Sequence, residues 1–174
     1  MEKNFFSFDN ETDHSNIVIQ SWQDHFCRLA GVYAFCLDSK GTPLTKMSAS
    51  VEEADLLMTN VLAPNNLERI FKRVTESVIE DQAVEDTDYP NVRLAASAIK
   101  DKSGKVYVVW IVCALIINRD TGKKTYPEPM LDGLSRGTTE SRLFDTLDLL
   151  NESMRGLVKS KVSRDEAIEA SEIS

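Results

Sequence analysis

The first regular pattern along the chain begins at Ser15. Val18, Trp22, Phe26 and Leu29 follow at steps of four, four and three, and Gly31 stands where a helix ends. This spacing predicts a first helix. Residues 32–37 form a short run rich in aromatic and β-branched side chains, Asp38-Ser39-Lys40-Gly41 supplies a turn, and residues 42–47 read as a second strand. Together they predict a β-hairpin. Ser50 and Glu53 have the spacing of a capping box, in which hydroxyl and carboxylate satisfy each other's free backbone amides. A helix over 51–62 follows, closed by Pro64. Asn65 or Asn66 caps another, with Leu67, Ile70, Phe71, Val74 and Val78 on one face.

Residues 82–84 read as a short edge strand inside an acidic stretch, and 93–100 as a loosely alternating strand. After the turn at 101–104, residues 105–117 are nearly all apolar. A run of this kind is buried on both faces, which places it at the centre of a sheet with helices on each side. Residues 118–138 carry Gly122, Pro127, Pro129, Gly133 and Gly137 and have little period. Connections this long in compact domains are usually lids, partner surfaces or unstructured segments. From Thr139 a long helix is expected. Its Leu143, Leu147, Leu150, Met154 and Leu157 lie at steps of four, three, four and three, nearer the 3.5-residue period of a two-helix seam than a core-facing stripe. Those five residues are therefore expected to form a homodimer contact. The chain divides into an N-terminal arm (1–14), a folded domain (15–138) and an outgoing helix (139–174).

The 174 residues are 42% hydrophobic and 28% charged, enough for one well-buried core and too few for two ordinary domains and a linker. Lys and Arg number 20 against 28 Asp and Glu, for a formal charge of −8. No basic cluster exceeds the pair Lys123 and Lys124, which argues against nucleic acid as a partner. The longest apolar run, 106–117, is well short of the roughly 20 residues that span a bilayer, and residues 1–10 lack the pattern of a secretory signal. A cytoplasmic chain without membrane insertion is expected. Cys27, Cys36 and Cys113 are widely spaced in apolar surroundings and read as reduced core thiols.

Catalysis needs a constellation, and the sequence offers no phosphate-cradling glycine loop, nucleophile elbow or paired-His zinc motif. His25 beside Asp24 reads as a solvent-edge helix residue. The acids Glu80, Asp81, Glu85, Asp86 and Asp88 lack the glycine and ligand spacing of a calcium loop and read as a solvated face. No enzyme activity, catalytic residue or metal site is expected, and no cofactor is identified.

Two segments carry a family resemblance. Residues 29–41 are a helix end running into a strand and a Gly turn. Residues 95–99, Ser103-Gly104-Lys105 and 106–116 are a hairpin whose turn introduces the long strand. Over residues 15–160 this order resembles the GAF/PAS superfamily of small sensor domains. The resemblance implies an α+β fold with a central five- to six-stranded antiparallel sheet in the order 2-1-5-4-3, helices on both faces and a long C-terminal helix. It also implies a cavity between sheet and helices for an unknown small ligand, with Tyr33, Phe35, Met58, Tyr107 and Trp110 as the lining side chains. The function implied is signal input within a two-component system: a ligand or partner binds, and paired C-terminal helices pass the change to an output module, such as a histidine kinase, beyond Ser174. The alternative is a protein-interaction and dimerisation module that binds through residues 118–138, with no small-molecule ligand.

Overall fold

The computed structural model describes residues 13–62, 65–89, 91–117 and 133–173, with side chains from 17 to 156. Most of the N-terminal arm and of the 118–138 connection lies outside the described residues, as does the side chain of Leu157. In chain order the elements are α1 (Asp13–Ala30), β1 (Tyr33–Asp38), α2 (Val51–Asn60), α3 (Asn65–Glu76), β2 (Gln82–Asp86), β3 (Val92–Lys100), β4 (Val106–Leu115) and α4 (Glu140–Ile173).

The strands form one antiparallel sheet in the order β1-β4-β3-β2. β4 lies between β1 and β3, so its apolar side chains are covered on both faces. Strand alternation sorts the core into two layers. Tyr33, Phe35, Leu37, Ile111 and Cys113 pack with Leu57 of α2 and Ile70 and Val74 of α3. Ala34, Cys36, Trp110 and Val112 pack with Ile19 and Cys27 of α1 and with Leu143, Leu147, Leu150 and Met154 of α4.

The expected five- to six-stranded sheet is corrected: among the described residues there are four strands, and their order is the expected 2-1-5-4-3 without its second strand. Residues 42–47 make a single bridge, Leu37 to Pro43, and Pro43 has no N–H to extend a ladder. Side chains replace the missing strand. Cys36 N–H donates to Thr45 Oγ1 at 2.9 Å. Lys46 N–H donates to Gln20 Oε1 at 2.8 Å, and Lys46 O accepts from Gln23 Nε2 at 2.9 Å. The segment is thus tied to α1 as much as to β1.

The buried face of α1 carries Ile19, Gln23 and Cys27, whereas Val18 and Leu29 of the predicted stripe are exposed on its flank. Gln23 sits where an apolar residue would complete the pattern, and it is fully buried because Ala34 O, Lys46 O and Ser48 Oγ accept from its amide. The capping box at Ser50 and Glu53 is present, and α2 begins there. α4 is 34 residues long, about 51 Å at 1.5 Å per residue, against about 30 Å for the nine residues of β3 that it crosses. The helix therefore outlasts the sheet.

Candidate functional site

α1 and α4 lie on the same face of the sheet, and a cleft of about 110 Å³ opens between them. Val18, Ile19 and Trp22 of α1 form one wall, Ser153 and Met154 of α4 the other, and Trp110 of β4 the floor. Sequence spacing puts each wall there. Val18 and Trp22 are one turn apart, and Ser153 and Met154 come where α4 has crossed most of the sheet. The Trp22 ring stacks on Phe26 with centroids 4.9 Å apart and lies 6.3 Å from the Trp110 ring. The lining is almost wholly apolar, so the cleft suits a compact apolar group rather than an ion or a sugar.

Of the five side chains expected to line a cavity, Trp110 alone reaches this cleft. Tyr33 and Phe35 point to the opposite face of the sheet, because Cys36 is the residue paired with Trp110 and its neighbours along the strand alternate away. Met58 is 48% exposed on α2. Tyr107 sits at a register shift between β3 and β4, with its ring under Lys105 Nζ and its hydroxyl 3.4 Å from Asp101 Oδ2. The five do not converge. Val18, Ile19, Trp22, Ser153 and Met154 were not readable as cleft residues, because the signal was only that Val18 and Trp22 share a helix flank.

The expected dimer seam is also corrected. Leu143, Leu147, Leu150 and Met154 are buried against the sheet of their own chain, so their side chains are unavailable to a second copy. The same face holds polar groups. Asn151 Nδ2 donates to Ser97 Oγ at 2.5 Å, while Asn151 Oδ1 and Trp110 Nε1 have no partner among the described residues.

A polar node ties the segment that leads into α4 to the rest of the fold. Tyr33 Oη donates to Glu53 Oε2, which also accepts from Ser135 N–H at 3.0 Å and Ser135 Oγ at 2.9 Å. Arg136 N–H donates to Tyr33 Oη at 3.0 Å. Its guanidinium reaches Val32 O at 3.1 Å and Ser48 O at 2.5 Å while lying 5.1 Å from the Tyr33 ring centroid. Burial pushes the Glu53 carboxyl up, but the bonds from Tyr33, Ser135 and Ser50 outweigh it and hold the group down at about 2. Burial, then the bond to Glu53, pushes Tyr33 up to about 12. No buried side-chain atom of the node lacks a partner, which fits a structural tie.

The remaining candidates are structural as well. Glu80 and Glu85 are paired with Arg73, Glu85 also with Arg69, Asp81 with Lys100 and Asp86 with Arg93. His25 Nδ1 faces Arg28 Nη2 at 2.5 Å, and Asp24 accepts instead from Ser48 Oγ at 2.6 Å. The three cysteines are buried free thiols, and burial raises Cys27 and Cys113 to about 12 and Cys36 higher still. Among the described residues no group of His, Cys, Asp or Glu is arranged to hold a metal, and no helix is long and apolar enough to cross a membrane. Compared with known proteins, the chain matches no family model and no curated protein.

Proposed function

We propose that this chain is a non-catalytic signal-input domain of a cytoplasmic signalling protein, related to the GAF/PAS sensors, in which a compact apolar group enters the α1/α4 cleft and biases α4. The observation that carries this reading is the shared wall: Ser153 and Met154 belong both to the cleft and to the helix that outlasts the sheet. Anything filling the cleft touches α4 at that point. The orphaned Trp110 Nε1 and Asn151 Oδ1 add to it, since each unpaired buried group costs about 1–3 kcal/mol and leaves the α4 interface short of its best packing. A shift of α4 between two packings requires only that the occupant prefer one of them, with typical couplings of about 1–3 kcal/mol. The output, such as a histidine kinase, would take its signal from this helix.

A second reading, an interaction module without a small-molecule ligand, draws on the size of the cleft. Its volume of about 110 Å³ is below the roughly 300–1,000 Å³ of most small-molecule sites and matches a single apolar side chain of a partner.

Native mass spectrometry of the purified chain, beside a Val18→Phe variant that fills the cleft mouth, tests the ligand reading. A small apolar mass retained by the parent and lost from the variant supports it. Retention by neither form, together with no change in tryptophan emission on adding a one-ring aromatic, contradicts it.

A further inference from the structure

On the shared face of the sheet, α1 packs over β1 while α4 packs over β4 and β3. The cleft lies between the two helices, so its width depends on where α4 sits across the strands. One turn before the cleft residue Met154, Asn151 reaches down to the sheet, and its Nδ2 donates to Ser97 Oγ of β3 at 2.5 Å. Ser97 is the direct partner of Trp110 in the β3–β4 ladder, and directly paired residues point to the same face. The Asn151 amide is thus held one strand away from the tryptophan that floors the cleft.

Two groups on this patch are left over. Trp110 Nε1 is a buried donor and Asn151 Oδ1 a buried acceptor, and neither has a partner among the described residues. Each lacks the bond that the other offers. The packing of α4 therefore carries three costs at once: an orphaned donor, an orphaned acceptor and an open apolar cleft beside them.

We infer that α4 has a second seat, shifted towards β4 and α1, in which Asn151 Oδ1 accepts from Trp110 Nε1 and the cleft is closed. This deepens the ligand reading above and rests on it for the identity of the occupant. A carboxamide offers a donor and an acceptor together, so Asn151 in the second seat spans the pair, keeping Ser97 and gaining Trp110. Helix shifts of about 1–2 Å are the ordinary scale of such transitions. The described arrangement is the open seat. A group held between Trp22 and Met154 keeps the helices apart and selects that seat, its apolar contacts offsetting the hydrogen bond given up. The direction of the response follows from the strand order: occupancy moves α4 away from α1 and towards β3, and it breaks the contact between Asn151 and Trp110.

The test is the indole N–H proton of Trp110 in nuclear magnetic resonance spectra of the full 174-residue chain, assigned with Trp22→Phe. With nothing added, the proton is expected downfield, where hydrogen-bonded indoles resonate, with an Overhauser contact to the Asn151 amide that weakens as toluene saturates the cleft. Asn151→Leu removes the acceptor at nearly constant side-chain size. It is expected to move the proton upfield before any toluene is added, and to tighten toluene binding about fivefold or more, the change for one neutral hydrogen bond. An Asn151 with a merely structural role would leave toluene binding unchanged or weaken it. An indole proton at the same position in parent and variant, a contact to Asn151 that strengthens with toluene, or an Overhauser contact to a long-lived water in place of Asn151 would overturn the inference. Should Asn151→Leu fail to fold, the toluene titration of the parent decides alone. Should toluene fail to bind, the ligand reading falls, and the comparison of parent with Asn151→Leu still decides whether the second seat exists.

Discussion

Glu53 carries two duties, and only one was readable. Its spacing from Ser50 announced the capping box, which Ser50 N–H and Glu53 Oε1 close at 3.2 Å. Its other oxygen binds Ser135, 82 residues further on, and no local pattern reports a partner so distant. This second role has a pH signature. Glu53 is held at about 2 against an ordinary 4.5, so its stabilisation is fully present above pH 4.5 and is lost as the pH falls towards 2. The two values differ enough for an effect of about 3 kcal/mol. Denaturant melts between pH 2 and 6 should show this acid limb in the parent chain. Glu53→Gln should flatten it and cost about 1–3 kcal/mol at neutral pH, because an amide cannot accept from all the donors gathered there. Tyr33, raised to about 12, works in the opposite direction: its contribution is complete below its ordinary 10 and is lost as the pH rises through 12. Tyr33→Phe should therefore abolish an alkaline limb. Gly31 makes a separate point. Its φ is +74°, and a Cβ there would lie 2.3 Å from Gly137 O, so Gly31→Ala should lower stability by about 2 kcal/mol or more in thermal melts.

At the level of elements, the α4 stripe shows how periodicity can be read correctly and assigned to the wrong partner. Leu143, Leu147, Leu150 and Met154 do share one face, as their steps indicated, but that face meets β3 and β4 of the same chain. Over three turns a 3.5- and a 3.6-residue period diverge by too little to distinguish a mating helix from a sheet. Thr146 and Asn151 are buried beside them, so the face is broader than a two-position seam. Leu147→Ala should accordingly behave as a core truncation, costing about 2–5 kcal/mol in urea melts without changing the association state. The helix α1 failed in a complementary way. Gln23 interrupts its true face with a polar residue whose partners lie on β1 and in residues 45–48, so the exposed flank through Val18 and Leu29 looked like the stripe. Where hydrophobicity and burial coincide, as in β4, the reading and the structure agree on a strand at the interior of the sheet.

For the whole molecule, an antiparallel sheet with helices on both faces was legible from the order of elements, and the number of strands was not. Residues 42–47 have strand-like composition, yet Pro43 and the side chains of Gln20, Gln23 and Thr45 take up the backbone groups that a strand would have used. The cleft is legible only in three dimensions, since Trp22 of α1, Trp110 of β4 and Ser153 of α4 come to it from positions 88 and then 43 residues apart in sequence. Under the proposed function, filling this cleft is felt by the helix that leaves the sheet. The chain has two tryptophans, Trp22 and Trp110, and both line the cleft, so emission reports its occupancy directly. The decisive measurement is amide hydrogen exchange across α4 with toluene added until that emission change saturates. Exchange is expected to slow in the turns around Ser153 and Met154 and onward along the helix, while the β3–β4 turn at residues 101–105 is unchanged. Saturation of the emission signal with no change in α4 would contradict that function.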